Sequence, residues 1–200
     1  MTTSPVPMSG FPMQLDLDAP DTIARWRPLV HWLLAIPQVI VLYALGIVQN
    51  IVWIIAFFAI LFTGAMPESL FGFMAMTHRY QWRLASYIWF MREEYPPFDF
   101  STVDQDPGGD PAKFSIERAP KLSRGLIFVK WLLAIPHYIV LFFLFIAVYV
   151  VVIIGFFAVI ITGKWPASLQ AFVIGVMRWA YRVSVYTYLM TDDYPPFSLD

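Results

Sequence analysis

Polar and apolar positions along the chain sort into long uninterrupted apolar runs. Leu33 to Phe62 carries no charge and only Gln38, Gln49 and Asn50 as strongly polar side chains, while Trp131 to Ile161 has only His137. Each run exceeds the roughly 20 residues that cross a hydrocarbon core. A straight helix of either length would reach roughly 45 Å against a core of about 30 Å, so an interruption is expected. Pro37 and Pro136 supply it, by removing a backbone donor and biasing Ile36 and Ile135 away from helical geometry. The pattern predicts interfacial helices over Thr22 to Ile36 and Leu122 to Ile135, with Trp32 and Trp131 as amphipathic anchors, then spans over Gln38 to Phe62 and His137 to Ile161.

Thr63-Gly64-x-x-Pro67 and Thr162-Gly163-x-x-Pro166 read as helix ends followed at once by new helices, because Gly adopts positive φ and Pro opens a helix readily. The segments that follow, Pro67 to Met91 and Pro166 to Met190, are mainly apolar but carry Arg79 and Arg83, or Arg178 and Arg182, at i and i+4 on one helical face. They are expected to span as well. The arginines then snorkel, pair with a neighbouring helix, or contact a lipid headgroup or partner.

The chain is duplicated. Residues 29–98 align without a gap on 128–197 at an offset of 99, and 32 of the 70 aligned pairs are identical. Trp32-Leu-Leu-Ala-Ile-Pro37 returns as Trp131 to Pro136, Phe57-Phe58-Ala59 as Phe156 to Ala158, and Tyr95-Pro-Pro-Phe98 as Tyr194 to Phe197. The second copy has no turn former opposite Gly46 to Asn50, which argues against splitting the first run into a hairpin. The organisation expected is a flexible tail over 1–12, repeat 1 over 13–103, a loop over 104–112 and repeat 2 over 113–200. Alternating polar and apolar residues at 14–18 and 113–118, with similar short stretches at 98–100 and 197–199, predict a four-stranded cytoplasmic sheet to which each repeat gives two strands.

Composition agrees with a membrane protein. Hydrophobic residues make up 59 % and charged residues 14 % of the chain, and mean hydropathy is +0.64, against roughly a quarter charged in ordinary globular domains. A net charge of −1 gives no general attraction to nucleic acid, and the absence of cysteine excludes disulfides and thiolate metal sites. No signal peptide is expected, since the first apolar run starts behind a polar, Pro-containing stretch. Arg25, Arg27, Arg92, Lys121, Arg124 and Lys130 lie opposite the nearly uncharged Gly64 to Pro67 turn, and the positive-inside rule then places both termini in the cytoplasm. Four spans in two parallel repeats follow.

Candidate chemistry is sparse. Glu93-Glu94 and Asp192-Asp193 precede Tyr-Pro-Pro-Phe, but adjacent residues at a helix end do not face one another, and pairing with nearby basic residues is the expected role. His31, His78 and His137 have no histidine counterparts in the other repeat, and no metal spacing, phosphate loop or nucleophile turn occurs. No enzyme, cofactor or metal site is expected.

Trp-Leu-Leu-Ala-Ile-Pro, Phe-Phe-Ala-x-x-x-Thr-Gly-x-x-Pro and Asp-x-Tyr-Pro-Pro-Phe-Ser-Leu, the last closing the second copy, resemble the bacterial membrane family DUF4389, here in tandem over nearly all of residues 14–200. The first copy departs with Glu94 before Tyr95 and Asp99 in place of Ser198. The resemblance implies an all-α integral protein of the bacterial plasma membrane and transfers no site residue.

The function expected is that of a non-enzymatic accessory or scaffold subunit of a larger membrane complex, with lipid or envelope-component transport systems as the type considered. Its partners would be membrane lipids and an integral membrane protein. Close helix contact is suggested by Ala171-x-x-x-Gly175. The alternative is a small lipid-binding or carrier protein with a groove between the repeats. Arg79, Arg83, Arg178, Arg182, Trp32 and Trp131 are the candidate lipid or partner contacts.

Overall fold

The structure, a computed structural model, describes residues 10–200. Most of the expected tail, residues 1–9, lies outside the described residues. The elements in order are β1 (Met13–Leu17), α1 (Arg27–Leu34), α2 (Ile36–Thr63), α3 (Glu68–Ile88), β2 (Ala112–Ile116), a single 3-10 turn over Leu126–Phe128, α4 (Lys130–Leu133), α5 (Ile135–Thr162) and α6 (Ala167–Thr187).

The prolines mark the joints without breaking the helical path. Ala35 keeps φ −74° and ψ −17°, its N–H reaches the His31 carbonyl at 2.8 Å, and its carbonyl accepts Val39 N–H at 2.8 Å. Pro37 falls in the first turn of α2, where its missing donor has no helical partner to lose. The long helix therefore begins at Ile36, two residues before the expected Gln38. The lead-in helices are shorter than expected: α1 starts at Arg27, and its counterpart is only the 3-10 turn plus α4.

Among the described residues α2 and α5, 28 residues each, are the two helices long and apolar enough to cross a membrane. Four such helices were expected. α3 and α6 fall short because the arginines and other polar side chains lower their apolar character, and both are largely buried inside the molecule. Each hairpin turns at a glycine in the left-handed region, Gly64 at φ 75° and Gly163 at φ 73°, whose N–H closes on Ile60 or Val159 at 2.8 Å. The Thr63 and Thr162 hydroxyls brace these turns by donating to Ala59 and Ala158, both at 2.7 Å.

Among the described residues the sheet has two strands, not the four expected. β1 and β2 pair antiparallel, with Met13 opposite Ile116 and Leu17 opposite Ala112. Residues 98–100 and 197–199 lie on α3 and α6 but join no ladder. In the second segment Arg178 and Arg182 take the Leu199 and Ser198 carbonyls, and in the first Arg83 holds the Asp99 carboxylate, so both segments are fastened to a helix and not to a strand.

The repeats exchange their leading segments. β1, which precedes repeat 1, packs on α6, and β2, which precedes repeat 2, packs on α3. Ile23 N–H donates to Gly163 O at 2.7 Å, and Leu122 N–H donates to Gly64 O at 2.8 Å. These two bonds are the same contact seen from each repeat, which is what an approximate twofold axis produces. The axis passes between Leu15 and Phe114, paired in the sheet, and between Trp82 and Tyr181, whose rings lie 6.3 Å apart. Both pairs are twins at the offset of 99.

Phe156 of α5 lies 5.3 Å from Phe90 at the end of α3, and Phe57 of α2 lies 5.3 Å from Phe128 ahead of α5. Trp53 of α2 donates to Thr187 O at the end of α6 at 3.1 Å. The second half of each long helix thus lies beside the start of the other, so α2 and α5 run in opposite directions. The repeats had been expected to be parallel.

Candidate functional site

The densest polar constellation lies between α3 and the loop over residues 98–111. Arg79 and Arg83 sit one helical turn apart on the α3 face turned to that loop, and each is 2 % exposed. Arg79 donates to the carbonyls of Ser101 (3.1 Å), Val103 (2.6 Å) and Gln105 (3.1 Å), with Phe114 O at 3.4 Å and Asp106 Oδ2 at 3.6 Å from its Nε. Arg83 donates to Asp99 Oδ2 at 2.7 Å and to Asp106 Oδ1 at 3.4 Å, while its Nε lies 3.8 Å from Asp110 Oδ1. Arg92, fully buried, reaches Asp110 Oδ1 at 2.5 Å and the Arg83 carbonyl at 2.9 Å.

Three guanidinium groups therefore meet three carboxylates with little solvent present. The carboxylates are held in turn: Asp106 accepts Gly108 and Phe114 N–H, and Asp110 accepts Ala112 N–H. Burial by itself raises the Asp99 carboxyl, but hydrogen bonds from Ser101 and from Arg83 outweigh it and bring its pKa down to about 2. This network orders a loop rich in Asp, Pro and Gly that has no ladder to hold it.

The second repeat keeps the arginines but changes their partners. Arg178 donates to Leu15 O (3.1 Å), Asp16 Oδ1 (2.9 Å) and Leu199 O (3.4 Å), while Arg182 donates to Ser198 O at 3.4 Å and to Asp200 O. Arg182 is 3 % exposed and Arg178 is half-buried. All four predicted arginines thus spend donors on backbone and carboxylates of this chain. Trp32 and Trp131 do face outward, at 62 % and 64 % exposure, with their indole N–H groups satisfied by Leu29 O and Phe128 O.

Other polar groups are matched in pairs across the duplication. Gln38 of α2 accepts from Tyr80 and donates to Pro96 O at 2.6 Å; at the twin positions His137 Nδ1 accepts from Trp179 at 3.0 Å and stacks on Phe197 at 3.9 Å. His31 Nδ1 lies 2.9 Å from Tyr87 O, and its twin Lys130 donates to Thr191 O at 2.6 Å and forms an ion pair with Asp192 Oδ1 at 2.8 Å. Burial pushes the pKa of both His31 and Lys130 down, partly opposed by these partners. The acidic pairs serve the same region: Glu93 accepts Ala24 N–H and Asp192 accepts Ser123 N–H at 2.6 Å. His31 and its twin Lys130, and His137 and its twin Gln38, thus tie a leading segment or long helix to the helix that follows, whereas His78 of α3 reaches Ser184 of α6 at 2.9 Å and Gln49 of α2 at 3.4 Å.

Two open clefts of about 520 Å³ flank the Tyr-Pro-Pro-Phe segments at twin places. One is lined by Asp18, Glu94, Tyr95 and Lys113, the other by Phe11, Asp193, Tyr194 and Ser198.

The family model described as a domain of unknown function (DUF4389) matches twice, over residues 25–99 and 124–198. The chain belongs to this family. The two DUF4389 matches keep the offset of 99 and together take in every helix, while β1 and β2 lie outside them. No curated protein and no solved structure matches the chain.

The three acids facing Arg79, Arg83 and Arg92 are the site residues missed in the sequence. Their signal was the row Asp99, Asp104, Asp106, Asp110 directly after an arginine-bearing helix, which turn chemistry alone does not explain.

Proposed function

We propose that this tandem DUF4389 protein is a non-catalytic scaffold subunit of a bacterial plasma-membrane assembly, with lipid or envelope-component transport systems as the class of assembly. The observation that carries the reading is a division of labour between helices. α2 and α5 turn Ile40, Tyr43, Ile54, Phe62, Phe142, Phe143, Tyr149 and Ile161 outward, while the arginines of α3 and α6 spend their donors inside the chain. A rigid body with apolar flanks and an internally neutralised centre suits docking between lipid and a membrane partner better than turnover of a substrate. The alternative, a lipid-binding or carrier protein, draws its support from the twin clefts beside Tyr95 and Tyr194.

Extraction of the tagged chain in mild detergent, followed by mass determination and identification of co-purifying chains, tests the reading. A stoichiometric complex with an integral membrane protein is the expected result. A lone protein at monomer mass that retains phospholipid would favour the carrier instead.

A further inference from the structure

The two apolar helices lie along the polar layer of the molecule and do not rise from it. Polar partners accompany α3 from end to end. Near its start Glu68 lies 3.7 Å from Arg118, and at Gly72 a Cβ would meet Thr102 O at 2.3 Å. Arg79 reaches Phe114 O, Trp82 donates to Asp16 O at 2.9 Å, and beyond the helix end Arg92 holds Asp110. Read along β2 and its flanks, residues 118, 114 and 110 meet residues 68, 79 and 92 in turn. The α3 axis is therefore roughly parallel to the sheet.

α2 runs antiparallel along the other side of α3. Gln38 lies at Pro96, Gln49 meets His78 at 3.4 Å, and Leu84 and Tyr87 cluster with Ala35 and Leu42. Arg79 and Leu84 are five positions apart, about 140° around the helix at about 100° per residue. The loop and α2 thus occupy nearly opposite faces of α3. The twofold axis, perpendicular to an antiparallel strand pair, generates the same layering for α5 and α6. A transverse crossing by α2 would carry the sheet and the 98–111 loop to the same depth, including Asp18, Lys113 and Asp104, which are exposed. Charged groups at that depth are strongly disfavoured.

We propose that α2 and α5 lie flat in one leaflet of an anionic bilayer, with the sheet and the 98–111 loop on the water side, so that the protein is monotopic. The basic residues sit where this requires them. Arg124 lies against Gly64 at the end of α2, Arg25 lies against Gly163 at the end of α5, and Lys121 and Lys164 are exposed beside them. Anionic headgroups around an apolar slab would meet positive charge at both of its ends. Trp26, Trp32 and Trp131, all exposed, extend the slab at its rim.

The inference builds on the membrane location in the scaffold reading but not on any partner. Since the chain has no native cysteine, single cysteines at Arg25, Glu68, Asp104, Ser123 and Lys164 can be probed with an impermeant maleimide, in right-side-out and inverted vesicles of the expressing bacterium. All five are expected to react from the same side, with labelling lost from the other. Reaction of Glu68→Cys and Arg25→Cys from opposite sides would overturn the proposal. Spin labels at Ile40, Ile47, Ile54 and Phe58 give a second readout. A flat helix places them all near the leaflet surface, whereas depths that pass through a maximum at the midplane would again overturn it. Recovery of the chain outside the membrane fraction would sink the membrane reading itself, a result distinct from either labelling pattern.

Discussion

At the scale of single residues, the sequence showed which side chains are unusual but not what answers them. Arg79 and Arg83 stand out in an apolar segment, and an i, i+4 pair on one face is plainly legible. That they are neutralised by Asp99, Asp106 and Asp110 depends on a loop folding back along α3, which no periodicity encodes. Asp99 makes this testable. Its carboxyl titrates near pH 2 when folded, against an ordinary value of 3.8. A depressed folded-state pKa contributes stability that is complete above about pH 4 and lost as pH falls through about 2. Solvent screening at this rim position limits the contribution to about 1 kcal/mol. Thermal unfolding in detergent, followed by circular dichroism, should show Asp99→Asn less stable by that amount at pH 6, with the gap to the unaltered protein shrinking below about pH 4 and closing as the pH falls through about 2. A constant gap across the range would mean that Arg83 does not depend on the charge of Asp99.

At the scale of elements, the long helices and their turns were readable because the same pattern occurs twice, and a mainly apolar, uncharged stretch of 28 residues admits little else. The sheet was only half readable. Alternation at 14–18 and 113–118 marked true strands, but similar short stretches at 98–100 and 197–199 lie against helices, where Arg83 takes the Asp99 carboxylate and Arg182 the Ser198 carbonyl. Glycines separate the helices that must accept these segments from those that need not. A Cβ at Gly72 would fall 2.3 Å from Thr102 O, whereas one at Gly46 of α2 meets nothing within 4 Å. Gly175, read as a helix-contact position, similarly admits Leu199 O at 2.8 Å from its Cβ position. Gly72→Ala should therefore cost about 1–3 kcal/mol by overpacking. Gly46→Ala should be neutral or stabilise by up to about 1 kcal/mol through helix propensity. Melting temperatures of the two variants in one detergent check the contrast, and equal shifts would mean that the 98–103 segment does not hold its place on α3.

At the scale of the whole molecule, duplication alone does not say whether copies stand side by side or grasp one another. Here each copy surrenders its leading strand: β1 rests on α6, β2 rests on α3, and the backbone bonds Ile23 to Gly163 and Leu122 to Gly64 close the exchange at both ends. Neither repeat is complete without the other, although the family match stops at each repeat's helices. The covalent link between them runs through Gly108 and Gly109, both at φ 80° with open space around them, so the chain can be cut there while Asp106 and Asp110 on either side keep their arginine partners. A protease site inserted there would leave one fragment with β1 and α3 and the other with β2 and α6. The interleaving predicts that the cleaved halves continue to migrate together on size exclusion in mild detergent, and separate only when the protein is unfolded. Rigid side-by-side repeats joined mainly by their linker would instead fall apart on cleavage. Separation of the fragments under native conditions would therefore show that the exchanged strands do not hold the halves together, and that the loop carries more of the assembly than its open glycines suggest.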